Sequence, residues 1–110
     1  MAANVKEISA ADWRREVLES GEPVVVDFYS SECPPCEALA PRLEAAAGEL
    51  AGRARFVKVF RQGNRELATE LGVQGSPTLL FFRGGVEAAP RHTGGQIGRT
   101  ALVELVQALL

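Results

Sequence analysis

The sequence contains few of the residue types that build metal sites and disulfide frameworks. Its 110 residues include one histidine, His92, and two cysteines, Cys33 and Cys36. These three side chains cannot fill the four positions of a structural zinc site unless two chains share one. Two cysteines are too few for a disulfide framework, and their close spacing favours redox chemistry over a pair of inert buried thiols. We therefore expect no bound metal.

Several other features are absent, and each absence excludes a class of partner. The net charge is −2 and the basic residues are scattered among acidic ones, so we expect no binding to nucleic acid. No apolar run is long enough to span a membrane, and the segment Met1–Glu7 lacks the apolar core of a secretory signal. No Gly-x-Gly-x-x-Gly fingerprint or P-loop is present, so we expect no organic cofactor. These absences predict a cytoplasmic protein without a membrane segment.

The overall composition is that of a globular protein. Apolar residues make up 46% of the chain and charged residues 24%, an ordinary balance for a folded domain. A chain of this length can bury a core without disulfide staples. No repeat or long linker divides it, and we expect one domain over residues 1–110.

Both cysteines lie between an apolar segment and an amphipathic one. The run Val24–Tyr29 is β-branched and aromatic, which is typical of a buried strand. After the cysteines, apolar residues recur at three- and four-residue spacing and predict a helix. These residues are Leu39, Leu43, Ala46, Ala47 and Leu50. Pro34 and Pro35 fit the first turn of that helix, where no ladder N–H is needed, and Pro41 is expected to kink it.

The position of Cys33 at a helix start has chemical consequences. Unpaired backbone N–H groups and the positive end of the helix dipole stabilise a thiolate there. Cys36 follows one turn later on the same face, close enough to form a small disulfide ring. The sequence therefore predicts that Cys33 is a nucleophile and that Cys36 resolves the mixed disulfide formed at Cys33.

The remaining segments alternate between strands and helices. Turn residues and periodicity predict a short edge strand at 5–8, a helix over 10–20 with a Ser9–Asp12 capping box, a strand at 55–60, a short helix capped by Asn64 and stopped by Gly72, a hairpin of strands at 78–82 and 86–93, and a terminal helix beginning near Ile97. The strand at 55–60 completes a β-α-β unit with the first buried strand, which predicts that those two strands are parallel.

This order of elements, with Cys-x-x-Cys at the first strand-to-helix turn, resembles the thioredoxin family over nearly the whole chain. The features that carry the resemblance are Asp27, Cys33-Pro34-Pro35-Cys36, Pro41, Lys58, Ser76-Pro77-Thr78, Gly85 and Gly94. It implies an α/β thioredoxin fold, with a central mixed sheet of four to five strands and helices on both faces. It also implies a thiol-disulfide oxidoreductase that reduces protein disulfides through Cys33 and Cys36.

Further site residues follow from the same resemblance. It implies that Asp27 is a general acid/base for Cys36, with Lys58 as an electrostatic partner. Burial of Asp27 in a valine-rich strand would raise the pKa of its carboxyl. Structural roles are the alternatives: a satisfied buried carboxylate for Asp27, and an exposed strand lysine for Lys58. His92 is expected to be solvated.

The resemblance also implies a docking face for substrates. It consists of Glu32, Pro34, Ser76, Pro77 and Gly94, with a cis bond before Pro77 and the Ser76 main chain paired with an extended substrate segment. Glu32 and Ser76 make this face more polar than is usual in the family. The expected partners are protein disulfides and a thioredoxin-reductase-like electron donor, and we expect a monomer.

Two other functions remain compatible with the sequence. One is a binding module of the same fold that uses its cysteines little. The other is a glutaredoxin-like enzyme that uses glutathione, although no basic pocket for the tripeptide is evident in the sequence.

Overall fold

The computed structural model describes residues 4–110. Residues 1–3, which belong to the predicted domain and to the segment Met1–Glu7, lie outside the described residues. Five strands and three α-helices are present within residues 4–110. They are β1 (Val5–Ile8), β2 (Val24–Tyr29), α1 (Pro34–Glu49), β3 (Arg55–Phe60), α2 (Arg65–Glu70), β4 (Thr78–Arg83), β5 (Val86–Thr93) and α3 (Arg99–Gln107). A 3₁₀ turn (Arg61–Gly63) follows β3 directly.

All five strands pair in one mixed sheet. The strand order is β1-β3-β2-β4-β5, with β1, β3 and β2 parallel and β4 and β5 antiparallel to their neighbours. The predicted mixed sheet flanked by helices and the parallel β2–β3 pairing are both confirmed. Because β2 and β3 are parallel, the segments that follow them emerge at the same edge of the sheet.

Apolar side chains form a separate core on each face of the sheet. Alternation along β2 places Val25 in the core under α1 and α3, whereas Val26 and Phe28 lie in the opposite core with Trp13. The strand is thus buried on both sides, which explains its continuous apolar run. Its residue Asp27 shares the face of Val25.

The segment after β1 differs from the predicted α-helix over 10–20. It forms a 3₁₀ turn (Ala10–Asp12) and then one π-helical turn (Arg14–Leu18). Asp12 holds the start of the first turn, because its Oδ2 accepts the Ser9 N–H at 3.0 Å. The segment is helical as predicted, but the spacing of Trp13 and Val17 does not distinguish an α-helical turn from a π-helical one.

Asn64 also departs from its predicted role. It occupies the N-cap position of α2, but its side chain makes no capping hydrogen bond. Instead its Oδ1 accepts the Ala10 N–H at 2.8 Å, and its Nδ2 donates to the Phe60 carbonyl at 2.9 Å. A cap was expected from local sequence, and a long-range contact with Ala10 takes its place.

Pro41 lies within α1, which continues to Glu49.

Among residues 4–110, no helix is both long enough and apolar enough to cross a bilayer.

Candidate active site

The two cysteines lie at the first turn of α1 and are joined by a disulfide. Their Cα atoms are 5.2 Å apart, and each residue is 7% exposed. Cys33 is the N-cap residue and Pro34 begins the helix. The Sγ of Cys33 accepts the Cys36 N–H at 3.2 Å, so the sulfur itself caps the helix. A thiolate would accept this hydrogen bond more strongly than the neutral sulfur does.

The loop before β4 meets the disulfide. The Ser76–Pro77 bond is cis, as the resemblance implied, and Pro77 is buried. The carbonyl oxygen of Ser76 lies 3.7 Å from the Sγ of Cys33. In the disulfide this sulfur carries no hydrogen, so the approach is a contact; the reduced thiol can donate to that oxygen.

A second loop closes the site from the side of α3. A Cβ on Gly95 would lie 2.7 Å from the Pro35 carbonyl oxygen and 3.0 Å from Pro77 Cγ, so only glycine fits there. Arg42 of α1 holds this loop by donating to the Gly95 and Ile97 carbonyl oxygens at 2.7 and 3.0 Å. The structure thus packs Gly95 against the two prolines, whereas a Cβ on the neighbouring Gly94 would touch nothing within 4 Å.

Asp27 is a buried carboxyl on the α1 side of the sheet. It is 4% exposed, and its Oδ1 has no hydrogen-bond partner among the described residues. Burial raises the pKa of Asp27 from 3.8 to about 7, while the charge of Lys58 opposes the rise and that of Glu7 adds to it. A carboxyl with this pKa can take up and release a proton near neutral pH.

Three strands bring charged groups into one row beside Asp27. Glu7 pairs with Lys58 in the β1–β3 register, and Lys58 pairs with Asp27 in the β3–β2 register. The Nζ of Lys58, which is half-buried, lies 5.6 Å from the centroid of the Tyr29 ring. The Tyr29 hydroxyl donates to Glu7 Oε1 at 2.7 Å. Burial, together with this hydrogen bond, raises the pKa of Tyr29.

Sequence reasoning missed Glu7 and Tyr29 as members of this cluster. Strict alternation puts Glu7 on the same face as Val5, and Tyr29 on the same face as Asp27. The missing information was the register between strands, which a single sequence does not reveal. Lys58 is likewise more enclosed than the exposed strand lysine considered as its alternative.

The other predicted docking residues lie around the disulfide. Glu32 and Pro34 are exposed next to Cys33, and Ser76 is half-buried. Glu32 has a φ of 51°, a left-handed conformation that costs a non-glycine residue about 1–2 kcal/mol. The segment before Cys33 therefore has a strained backbone held by its surroundings.

The 3₁₀ turn after β3 contacts the residue before Glu32, and sequence reasoning did not identify this contact. Gln62 Oε1 accepts the Ser31 N–H at 2.8 Å, and Gln62 Nε2 donates to Ser31 Oγ at 3.1 Å. Arg61 Nε donates to Ser76 Oγ at 3.0 Å. Two consecutive side chains of one turn thus form hydrogen bonds with Ser31, which precedes Cys33 in the chain, and with Ser76, which faces the Sγ of Cys33.

His92 is half-buried rather than solvated, because its ring packs edge-on against Phe81 at a centroid distance of 5.9 Å.

Within residues 4–110, no group of three or more histidine, cysteine or acidic side chains is placed to hold a metal ion. The chemistry that this arrangement supports is thiol–disulfide exchange at Cys33 and Cys36.

Comparison with known proteins finds a matching family model and similar proteins. The family model described as Thioredoxin matches residues 4–108. The chain is 35% identical over 104 residues to a thioredoxin of Rhodospirillum rubrum, covering 94% of this chain and 98% of that protein. It is 34% identical over 96 residues to Thioredoxin 1 of a Nostoc species, covering 82% and 90%.

A chloroplastic relative is longer. Thioredoxin X, chloroplastic, of Arabidopsis thaliana is 33% identical over 106 residues, which are 96% of this chain and 58% of that protein. The chain spans about half the length of the curated chloroplastic relatives it matches.

Proposed function

The chain belongs to the thioredoxin family, and from this membership and the Cys33–Cys36 disulfide we infer that it is a thiol-disulfide oxidoreductase acting on protein disulfides. The observation that carries the inference is the sulfur pair at the start of α1, in contact with the loop of the cis proline. A position at a helix start, where backbone N–H groups stabilise a thiolate, suits a reactive cysteine better than an inert one.

Two sulfur exchanges make up the proposed reaction. The Cys33 thiolate attacks one sulfur of the substrate disulfide, forms a mixed disulfide with it and expels the other substrate sulfur as a thiolate. Cys36 then loses its proton and attacks the Sγ of Cys33. This step forms the Cys33–Cys36 disulfide and releases the second substrate thiol. Two electrons pass to the substrate in each cycle.

Asp27 is the proposed acceptor of the Cys36 proton. Its buried position and its pKa of about 7 suit a group that must bind and release a proton near neutral pH. Lys58 is the proposed electrostatic partner, because its charge favours the ionised carboxylate that accepts the proton.

Substrate binding is proposed on the face formed by Glu32, Pro34, Ser76, Pro77 and Gly94. The Ser76 main chain would pair with an extended segment of the substrate, in the manner of strand addition. The exposure of Glu32 and Pro34 next to the disulfide supports this proposal.

Several properties of the whole protein belong with the proposal. They are a thioredoxin-reductase-like electron donor, a cytoplasmic location, a monomeric state and a single domain over residues 1–110. The pair of closely spaced cysteines suits a reducing compartment, in which disulfides are transient and catalytic.

An insulin-reduction assay tests the function directly. The wild-type protein, kept reduced by a small excess of dithiothreitol, should precipitate the insulin B chain faster than dithiothreitol alone. Cys33→Ser should abolish the acceleration, because no mixed disulfide can form. Cys36→Ser should retain the first exchange and accumulate the mixed disulfide, which mass spectrometry detects.

The outcome separates the proposed enzyme from its two alternatives. A binding module would give no cysteine-dependent acceleration. A glutaredoxin-like enzyme would be reduced faster by glutathione than by a thioredoxin reductase.

A further inference from the structure

We propose that Arg61 binds a carboxylate of the docking protein, so that the preferred substrates carry an acidic side chain near the disulfide that is reduced. The inference rests on the proposed function, because it requires a partner's disulfide to reach Cys33. It defines a class of substrate that the family membership alone does not specify.

Ser76 lies between Arg61 and the Sγ of Cys33 and contacts both. Its Nε donates to Ser76 Oγ at 3.0 Å, and the Ser76 carbonyl oxygen lies 3.7 Å from Cys33 Sγ. A substrate segment that lies along Ser76 to reach Cys33 therefore passes next to the guanidinium group. The hydrogen bond to Ser76 also restricts the conformations of Arg61 before a partner arrives, which lowers the entropy lost on binding.

The guanidinium keeps most of its binding capacity. It has five N–H donors in a planar fork that matches a carboxylate. Within the described part of the chain, its hydrogen bonds involve Nε only, and no carboxylate lies within 4.0 Å of it. Arg61 is half-buried, so an ion pair formed there is less exposed than one on the open surface.

A groove of about 370 Å³ extends from Arg61 along α2. We call it the basic groove, and its lining residues are Arg61, Gln62, Arg65, Ala68, Thr69 and Val73. Two arginines and no acidic residue line it. Glu66 and Glu70 belong to α2 as well, but they form their own i,i+4 row beside the row of Arg65 and Thr69. The groove thus offers positive charge to a negative partner group.

Acidic residues elsewhere limit where that partner group can lie. Glu32 and Glu37 are exposed on either side of the cysteines in sequence, and they disfavour a second negative charge near them. The position of the acid relative to the reactive cysteine of the substrate should therefore matter, and the experiment varies it.

Single-turnover kinetics with synthetic peptides test the proposal. Each peptide contains one intramolecular disulfide and a single glutamate at one of the three positions before or after the attacked cysteine. A matched peptide has glutamine there. The reduced protein is mixed with each peptide, and the second-order rate constant of disulfide reduction is measured. The readout is the glutamate-to-glutamine rate ratio, so a general change in reactivity cancels.

For the wild-type protein, we expect a ratio of about two to five at one position, the effect of an ion pair at a partly exposed site. Arg61→Gln should bring this ratio to about one. Raising the salt concentration to about 0.5 M should reduce the wild-type ratio, because ions screen an exposed pair.

Arg53→Gln is the matched control. Arg53 is exposed in the turn before β3, whereas Arg61 follows β3, so the six-residue strand separates them by about 20 Å. Its removal changes the net charge by the same amount and should leave the ratio at its wild-type value. A ratio near one at every position for the wild type would overturn the proposal, as would a preference that survives in Arg61→Gln. Failure of the wild type to reduce any peptide would instead contradict the proposed function.

Discussion

The two faces of β2 differ, because one packs into an apolar core and the other carries the carboxyl group of the proposed chemistry. On one face, Val24, Val26 and Phe28 are buried among apolar neighbours that include Trp13 and Phe82. On the other face, Val25 is followed by Asp27 and Tyr29, which belong to a polar cluster with Glu7 and Lys58. The polar groups occupy only the end of the strand that leads to Cys33. Adjacent residues of this strand thus differ in surroundings, since Val26 and Phe28 lie among apolar side chains and Asp27 lies beside charged ones.

The largest expected effect comes from the apolar face. Phe28 is fully buried, so Phe28→Ala should reduce the free energy of unfolding by about 3–5 kcal/mol. Phe60→Ala is the matched control, because Phe60 is half-buried and lies against Tyr29 on the polar face. Its loss should be less than half as large. Denaturant unfolding of both oxidised variants measures the difference, and equal losses would show that the faces do not differ in this way.

The next effect concerns the pH dependence of stability on the polar face. Asp27 has a pKa of about 7 when folded against 3.8 ordinarily, so the folded chain binds more protons between these values than the unfolded chain. Stability contributed by this group is therefore complete below about pH 4 and is lost as the pH rises through 7. The difference corresponds to at most about 4 kcal/mol.

Asp27→Asn should remove this loss. Relative to the wild type, the variant should gain stability with rising pH until about pH 8, and urea unfolding at several pH values measures the gain. Asp12→Asn should act in the opposite direction and only near and below pH 3.8, because the Ser9 N–H lowers the pKa of Asp12 in the folded chain. A wild-type curve parallel to that of Asp27→Asn would show that Asp27 is not a protonatable buried group.

The smallest effect concerns the neighbours that tune Asp27. Glu7→Gln should lower the pKa of Asp27 and Lys58→Gln should raise it, and both changes should be smaller than the rise that burial causes. Lys6→Gln is the control, because Lys6 bonds Glu16 at 2.8 Å on the other face of β1. NMR titration of the Asp27 carboxyl carbon measures all three. Shifts of the same sign in Glu7→Gln and Lys58→Gln would contradict a charge effect.

Local sequence predicted most of the fold, because the signals for β2, α1 and the β4–β5 hairpin lie within each element. The start of α1 followed from two prolines next to Cys33, and the burial of Asp27 followed from the three valines before it. The confirmed family membership rested on several ordered features rather than on Cys-x-x-Cys alone.

The supporting residues of the site were not predictable in the same way. Arg61 and Gln62 act on Ser76 and Ser31, residues 15 and 31 positions away, and their side chains contain no local signal for those contacts. Asn64 shows the converse, since a local capping signal gave way to a long-range partner. Register between strands, which places Glu7 beside Lys58, likewise emerges only from the assembled sheet.

In the proposed reaction, the Sγ of Cys33 both caps a helix and exchanges electrons. Because the same atom accepts the Cys36 amide, the free energy of forming the first turn of α1 is thermodynamically linked to the dithiol–disulfide equilibrium. A substitution that loosens this turn, even one far from the sulfurs, would weaken the stabilisation of the Cys33 thiolate and make the protein a more reluctant oxidant. Substitutions that change the stability of the first turn of α1 should therefore also change the reduction potential of the cysteine pair.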